Sequence, residues 1–346
     1  MKSIKLLTLL VAVPLIFAGC GSKEPAQNAG SAASKPNDKK VFKIGITQIV
    51  EHPSLNATRE GFLAALKDSG FVDKENLQVD YQNAQGDPTN NLTIAQKFAA
   101  DKKDLVLAIA TPSAQAAVQN VKDAPIVFAA ITDPVGAKLV KSLDKPGANV
   151  TGAADTAPDA VDKLVDFISS DFPNIKTVGI IANEGEPNAA VMVKNAEAAM
   201  AKKNIKVVKA AAANSSEVKQ AAESLVGRVD AFYITLDNTV VSAVESIIKI
   251  ANEKKIPFFS SDRDTVEKGA LATFGFKYYD HGYQAGKMAA EILKNGAKPA
   301  DMKVSFPDKL DLIINQDAAK AQGVTITDSM KNKMQDKKNL ISGSGK

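Results

Sequence analysis

Two clusters of hydroxyl side chains each follow a short apolar run. Residues 111–113 (TPS) come directly after the run 105–110, and residues 132–134 (TDP) follow the run 125–131. Short runs that are apolar throughout predict strands buried on both faces, as in a parallel sheet. Because ligands of open parallel sheets bind outside the carboxyl ends of the strands, both clusters are candidate binding segments. The alternative interpretation is that both are ordinary strand-to-helix turns.

The chemistry expected at the first cluster is the binding of a carboxylate or a phosphate. Thr111 followed by Pro112 is typical of a helix N-cap followed by the first helical residue. The amides of Ser113 and Ala114 would then be free, beside two hydroxyl groups and the positive end of the helix dipole. Thr132 has the same expected role.

Asp133 is a further candidate ligand-binding residue, although a residue of this type before proline could equally only shape the turn. A later strand end carries the pair Asp237 and Asn238, directly after the apolar run 231–236. A carboxylate there needs either solvent or a cation, so Asp237 is a candidate partner for an ammonium group. The alternative is a solvated helix cap.

Four candidates lie on loops that follow the first strand of each half of the chain. Gln48 and His52 lie where the strand that begins at residue 43 leads into the first helix, and Glu186 and Asn188 come after the strand 177–182. His52 could donate a hydrogen bond to a ligand, but no metal partner or nucleophile near it supports a catalytic role. Glu186 and Asn188 could instead form a plain turn.

Asp262 follows the apolar run 256–261 in the same way. It either serves the binding site or pairs with Arg263, its neighbour in sequence.

Strands and helices alternate from residue 43 onward, and the order of elements repeats in the second half of the chain. This repetition predicts an α/β protein of two similar Rossmann-like lobes with parallel sheets. Neither half contains a closing element, so we expect the chain to cross between lobes three times, near Thr151, Thr273 and Lys303, forming a hinge. The predicted bounds are 41–152 plus 274–301 for lobe one, 153–273 plus 302–330 for lobe two, and 331–346 for a polar C-terminal tail.

The N-terminus has the features of an export signal. Residues 1–19 contain two lysines, an apolar run too short to span a membrane, and small residues before Cys20. Cys20 is the only cysteine, so an intramolecular disulfide is excluded. We predict that Cys20 is lipidated after cleavage, that residues 20–40 form a flexible tether, and that the protein is anchored on the extracytoplasmic face of a cell membrane.

Composition excludes several classes of function. The chain of 346 residues has 43 basic and 39 acidic residues without basic blocks, so nothing indicates nucleic-acid binding. Its two histidines are far apart in sequence, and no metal-binding motif is present. We therefore expect no metal and no cofactor.

Five of the segments described above resemble one known family when taken in order. They are QIVEHP at 48–53, ATPSAQ at 110–115, TDP at 132–134, GEPN at 185–188 and DNT at 237–239. Together with the lipidation signal, they resemble the substrate-binding lipoproteins of ABC transporters for tryptophan or tyrosine, over residues 41–327.

The resemblance implies a type 1 periplasmic-binding-protein fold and a monomer that delivers a small solute to a permease and its ATPase. It also implies that the α-carboxylate of the ligand binds hydroxyls and helix-start amides of lobe one, and that the ammonium binds an acidic residue of lobe two. The aromatic preference rests on the resemblance. A secreted enzyme or a sensor protein on the same scaffold is the alternative.

Overall fold

The computed structural model describes residues 40–157, 159–307 and 309–343. Strands and helices alternate along this part of the chain and form two sheets, one in each lobe. Cys20, the predicted signal peptide and nearly all of the predicted tether lie outside the described residues, so lipidation of Cys20 stays a prediction. Within the described ranges, no helix is long and apolar enough to cross a membrane.

The sheet of lobe one consists of five parallel strands, β1 (Phe42–Gln48), β2 (Leu77–Asn83), β3 (Leu105–Ile109), β4 (Ile126–Ile131) and β5 (Val150–Ala154). Their order in the sheet is β2-β1-β3-β4-β5. The helices of this lobe are α1 (Pro53–Asp68), α2 (Pro88–Ala100), α3 (Thr111–Asn120) and α10 (Tyr278–Asn295). The strands β3, β4 and β5 are buried throughout, as the apolar runs predict for a covered parallel sheet.

The helix α10 returns to lobe one and packs against α1 at a separation that requires glycine. A Cβ atom at Gly282 would lie 1.9 Å from the Thr58 carbonyl oxygen, and one at Gly61 would lie 2.0 Å from the Tyr279 carbonyl oxygen. Both distances are too short for any real Cβ atom, so the two backbones approach because the side chains are absent. α10 also packs on β4 and β5, and it is therefore the element that completes lobe one.

The sheet of lobe two consists of seven strands, β6 (Thr177–Ala182), β7 (Lys206–Ala211), β8 (Ala231–Ile234), β9 (Phe258–Ser260), β10 (Ala272–Gly275), β11 (Asp311–Asn315) and β12 (Leu340–Ile341). The order is β12-β11-β10-β9-β8-β6-β7, and only the pairing of β10 with β11 is antiparallel. Its helices are α4 (Ala160–Asp171), α5 (Pro187–Lys202), α6 (Val218–Leu225), α7 (Asn238–Ser242), α8 (Val244–Lys254), α9 (Arg263–Lys268), α11 (Gln316–Ala321) and α12 (Asp328–Lys333).

The two sheets repeat one arrangement, as the sequence predicts. The order β2-β1-β3-β4-β5 of lobe one corresponds to β7-β6-β8-β9-β10 of lobe two. The chain passes between the lobes after β5, after β10 and before β11. The prediction of two parallel-sheet lobes connected by three crossings is therefore confirmed.

The predicted bounds differ from the structure at all three crossings. β5 extends lobe one to Ala154, and β10 keeps residues 274–275 in lobe two. The largest difference is at the third crossing. Residues 302–306 were predicted to belong to lobe two, but they remain beside β5. The Ser305 amide donates a 3.0 Å hydrogen bond to the Gly152 carbonyl, and the Thr151 hydroxyl donates one of 2.7 Å to the Met302 carbonyl. The predicted polar tail is also not separate, because β12 pairs with β11 at the edge of the sheet. Its short length hides this strand from sequence patterns.

Candidate functional site

The carboxyl ends of β3 and β4 hold an unusual backbone conformation. Ala110 has φ 72° and ψ 155°, a region that residues other than glycine rarely occupy, and Ala130 has φ 57°. The Ala130 amide donates a 3.0 Å hydrogen bond to His281 Nε2 on α10. Burial lowers the pKa of His281 to about 4, so the imidazole is neutral and accepts this bond. This bond holds the end of β4 against α10.

The start of α3 differs from the sequence prediction. Ala110 is the N-cap, so Thr111 is already the first helical residue. The Ala114 amide donates a 3.0 Å hydrogen bond to the Ala110 carbonyl, so our expectation of a free Ala114 amide was wrong. The Ser113 hydroxyl donates a 2.8 Å bond to Asn91 Oδ1 within lobe one. The Thr111 hydroxyl is buried and has no hydrogen-bond partner among the described residues.

A small chamber, which we call the polar chamber, lies between the lobes. It is lined by the following residues: His52, Leu55, Ala130, Thr132, Asp155, Asn188, Leu236, Asp237, Asn238, Val241, Asp262 and Tyr278. Three of these are carboxylic acids, and no lysine or arginine of the described chain borders the chamber. An ordinary buried ion pair is therefore not available to these carboxyl groups.

Burial raises the pKa of each of the three carboxyl groups. The pKa of Asp155 is raised to about 6, against hydrogen bonds donated by Thr156 and Tyr278. The pKa of Asp237 is raised to about 8 by burial and then by the negative charge of Glu186. Burial also raises the pKa of Asp262, although the hydroxyl of Ser54 donates to it. A cation entering the chamber would reverse these shifts, because it favours the ionised form.

Glu186 holds the start of α7 rather than facing the polar chamber. One carboxylate oxygen accepts from the Thr239 amide at 2.8 Å and from the Thr239 hydroxyl at 2.6 Å. The other accepts from Asn238 Nδ2 at 2.6 Å. Because Asn238 Nδ2 is engaged in this way, Asn238 Oδ1 lies 3.4 Å from His52 Nε2 in the opposite lobe.

The second chamber, which we call the apolar chamber, adjoins the polar chamber at Asp155 and Leu236. It is lined by these residues: Asp155, Thr156, Ala160, Leu164, Met192, Leu236, Ser261, Phe274, Phe276 and Leu310. The hydroxyls of Ser261 and Tyr233 lie 2.5 Å apart and form a hydrogen bond at this end. The two chambers together therefore have one acidic end and one end rich in apolar side chains.

The lobes are closed over both chambers. The polar chamber has a free volume of about 20 Å³ and the apolar chamber about 10 Å³, which is space for a water molecule in each. A larger outer groove of about 670 Å³ lies beyond Asn238, between the starts of α3 and α5. Entry of a solute larger than water into the chambers therefore requires the lobes to move apart.

The structure brings six of the predicted site residues to the polar chamber: His52, Thr132, Asn188, Asp237, Asn238 and Asp262. Gln48, Thr111, Ser113, Ala114 and Asp133 do not border either chamber. The Gln48 side chain instead bonds Val50, Asn56 and Arg59 around the loop before α1. The Asp133 carboxylate accepts from the Gly136 amide at 2.8 Å and shapes a turn. Asp262 bonds Ser54 of lobe one, and Arg263 bonds Glu267 instead, so the expected Asp262–Arg263 pair is not formed.

Sequence reasoning missed Asp155 and Tyr278. Asp155 follows β5 directly, as Asp237 follows the apolar run 231–236, so the rule that identified Asp237 could have found it. Tyr278 had no local signal, because it reaches the chamber only through the return of α10 to lobe one.

Comparison with known proteins places the chain in a family. The family model described as ABC transporter substrate binding protein matches residues 43–338. The chain belongs to this family, and its fold is that of the type 1 periplasmic binding proteins. Among curated proteins, the Tyrosine-binding protein of Clostridioides difficile (strain R20291) is 44% identical over 323 residues, 92% of each chain.

Two solved structures relate to the closure of the lobes. An ABC domain from Streptococcus pneumonia in complex with L-Trp is 34% identical, with a TM-score of 0.80 over 86% of this chain and 99% of the other. The ligand-free, open structure of a substrate binding protein with adhesive properties from Clostridium difficile is 45% identical, with a TM-score of 0.65 over 88% and 100%. The chain thus superposes better on the L-Trp complex despite the lower identity, in agreement with its closed lobes.

Proposed function

We propose that the protein captures a free aromatic L-α-amino acid between its lobes and delivers it to the permease of an ABC importer, which the transporter ATPase drives. The observation that carries this proposal is the junction of an apolar chamber with an acidic chamber that no lysine or arginine of the described residues borders. The names of a tyrosine-binding relative and an L-Trp complex support the choice of ligand. We further propose that Cys20 carries a lipid anchor, that the monomeric protein is extracytoplasmic, and that it is not an enzyme.

The polar chamber suits the ammonium group of the ligand. Asp237, Asp155 and Asp262 border a small enclosed space in which no lysine or arginine from the described ranges balances their charge. A desolvated ammonium needs such a partner, because leaving either charge unpaired in the interior is costly. Asp237 is the candidate partner from lobe two, in line with the expectation from the sequence.

The apolar chamber suits an aromatic side chain. Phe274 and Phe276 offer ring surface, and Leu164 and Met192 are the flexible or branched groups that fill gaps around a ring. The hydroxyl pair of Ser261 and Tyr233 at this end supplies polar atoms for a phenol or an indole N–H. An aliphatic ligand would leave part of this surface uncovered.

The carboxylate of the ligand is assigned to lobe one. Thr132 borders the polar chamber, and the start of α3 follows the neighbouring strand. The Thr132 hydroxyl is therefore the proposed donor to the carboxylate, because Thr111 at the start of α3 borders neither chamber.

Calorimetry on the purified protein tests the proposal. L-tyrosine, L-tryptophan and L-phenylalanine should bind more tightly than L-leucine. The des-amino analogue 3-(4-hydroxyphenyl)propionate and tyrosine methyl ester should bind much more weakly than L-tyrosine. The proposal is wrong if the des-amino analogue or the ester binds as tightly as the amino acid.

A further inference from the structure

Two polar atoms of residues lining the polar chamber are buried and have no hydrogen-bond partner within the described chain. They are His52 Nδ1 and Asn188 Oδ1. Both residues are more than nine-tenths buried, at 7% and 5% exposure. Buried polar atoms are nearly always paired, so two such atoms at one small chamber require an explanation.

The contacts around each residue show that both atoms are acceptors. Asn188 Nδ2 donates to the Leu236 carbonyl at 2.7 Å and to Glu186 at 3.2 Å, so the amide oxygen is the atom left over. Asn238 Nδ2 donates to Glu186, which turns the Asn238 oxygen towards His52 Nε2. His52 Nε2 must therefore carry the hydrogen.

A neutral imidazole with a hydrogen on Nε2 has a lone pair on Nδ1. Burial lowers the pKa of His52 to about 4, which keeps the ring neutral near pH 7. From the sequence we expected His52 to donate a hydrogen bond to a ligand; with the hydrogen on Nε2, its Nδ1 atom can only accept one.

An ammonium group has three N–H donors, and the chamber offers three kinds of acceptor. We infer that the ligand ammonium donates to His52 Nδ1, Asn188 Oδ1 and the Asp237 carboxylate, and that this arrangement selects primary amines. The inference rests on the proposed function and adds two residues that determine specificity. A single water molecule has only two hydrogens, so it cannot satisfy all three acceptors.

The test compares L-tyrosine with N-methyl-L-tyrosine by calorimetry in the wild type and in His52→Gln. Methylation removes one donor, so the wild type should bind the methylated ligand at least about tenfold more weakly, as expected for a hydrogen bond from a charged group. The amide of His52→Gln reaches the position of Nε2 and can keep the bond to Asn238, but it leaves no acceptor at the position of Nδ1. In this variant two acceptors remain for the two N–H donors of the methylated ammonium, and the methyl group occupies the space near the lost acceptor. The loss of affinity caused by N-methylation should therefore fall below about threefold.

His52→Asn is the complementary variant. Its shorter amide offers an oxygen near the position of Nδ1 but cannot reach Asn238, so it should keep a methylation penalty close to that of the wild type. Thermal unfolding of both variants checks that each is folded. An equal penalty in the wild type and in His52→Gln would overturn the inference alone. Failure of the wild type to bind any aromatic amino acid would overturn the proposed function and this inference together.

Discussion

The Ser54 hydroxyl donates a 2.5 Å hydrogen bond to Asp262 Oδ2, which joins the first turn of α1 in lobe one to the N-cap of α9 in lobe two. The other oxygen of Asp262 accepts from the Thr265 amide at 3.0 Å within lobe two. The contact of His52 with Asn238 lies two residues earlier on the same helix start. The start of α1 therefore provides two bonds that exist only when the lobes are closed.

We expect Ser54→Ala to weaken ligand binding because it removes one bond of the closed state. A hydrogen bond to a charged group contributes about 1.5–3 kcal/mol, which corresponds to roughly 10- to 150-fold in the dissociation constant. Calorimetry measures the affinity, and small-angle scattering measures closure through the radius of gyration. Ser69→Ala is the control, because the Ser69 hydroxyl bonds the Ala65 carbonyl at the far end of α1. Equal losses in both variants would contradict a role in closure.

Asp237→Asn should cause the largest loss of affinity among single changes of carboxyl groups. It removes the charge facing the ligand ammonium, and it also replaces one of the two oxygens that accept from the Asn183 and Val240 amides. Loss of a buried charge partner costs roughly 2–4 kcal/mol, about 30- to 1,000-fold in the dissociation constant. Asp133→Asn is the matched control, since Asp133 only shapes a turn outside the chambers. Wild-type affinity in Asp237→Asn would remove that residue from the ligand site.

The stability of the protein should fall as the pH rises from 6.5 to 8. The pKa values of Asp237 and Asp264 are raised by burial to about 8, so the folded protein holds protons that the unfolded chain has already released. Stability from such groups is fully present below their unfolded pKa and is lost as the pH rises through the folded pKa. Burial lowers the pKa values of His52 and His281 to about 4, so they remain neutral in the folded protein when the unfolded chain has already protonated them. They therefore reduce stability as the pH falls, but only below pH 6.5, outside that pH range.

Urea denaturation at several pH values, with and without L-tyrosine, measures how steeply the free energy of unfolding falls with pH. Saturating ligand should make this slope smaller, because the ammonium favours the ionised form of Asp237. Asp237→Asn should also flatten it in the absence of ligand. A slope that is the same in the variant and the wild type would show that Asp237 does not titrate in this range.

The sequence predicts the two lobes well because their strands are apolar throughout and recur in the same order. β3, for example, is recognisable from residues 105–110 alone. It predicts the site less well, because the site depends on contacts between distant segments. Glu186 is directed to Thr239 by the pairing of two strand ends, and Tyr278 reaches the chamber only because α10 returns to lobe one. Such contacts have no local pattern.

The start of α3 shows the same limit for a single backbone angle. Thr111 and Pro112 have the sequence of a cap and a first helical residue, yet Ala110 is the cap. Its positive φ angle is imposed by the sheet, where the Ala110 amide donates a 3.0 Å bond to the Ala129 carbonyl. No property of alanine would predict this conformation.

This strained position leads to a prediction about stability. Ala110→Gly removes a buried methyl group and adds chain entropy to the unfolded state, which together cost about 1.5–2 kcal/mol. It also relieves a backbone conformation that costs alanine about 1–3 kcal/mol. The two effects nearly cancel, so we expect the free energy of unfolding to change by less than about 1 kcal/mol, as measured by urea denaturation.

Ala117→Gly is the matched control, because Ala117 is equally buried but has ordinary helical geometry in α3. It should lose about 2 kcal/mol without compensation. Equal losses at the two positions would show that Ala110 is not strained.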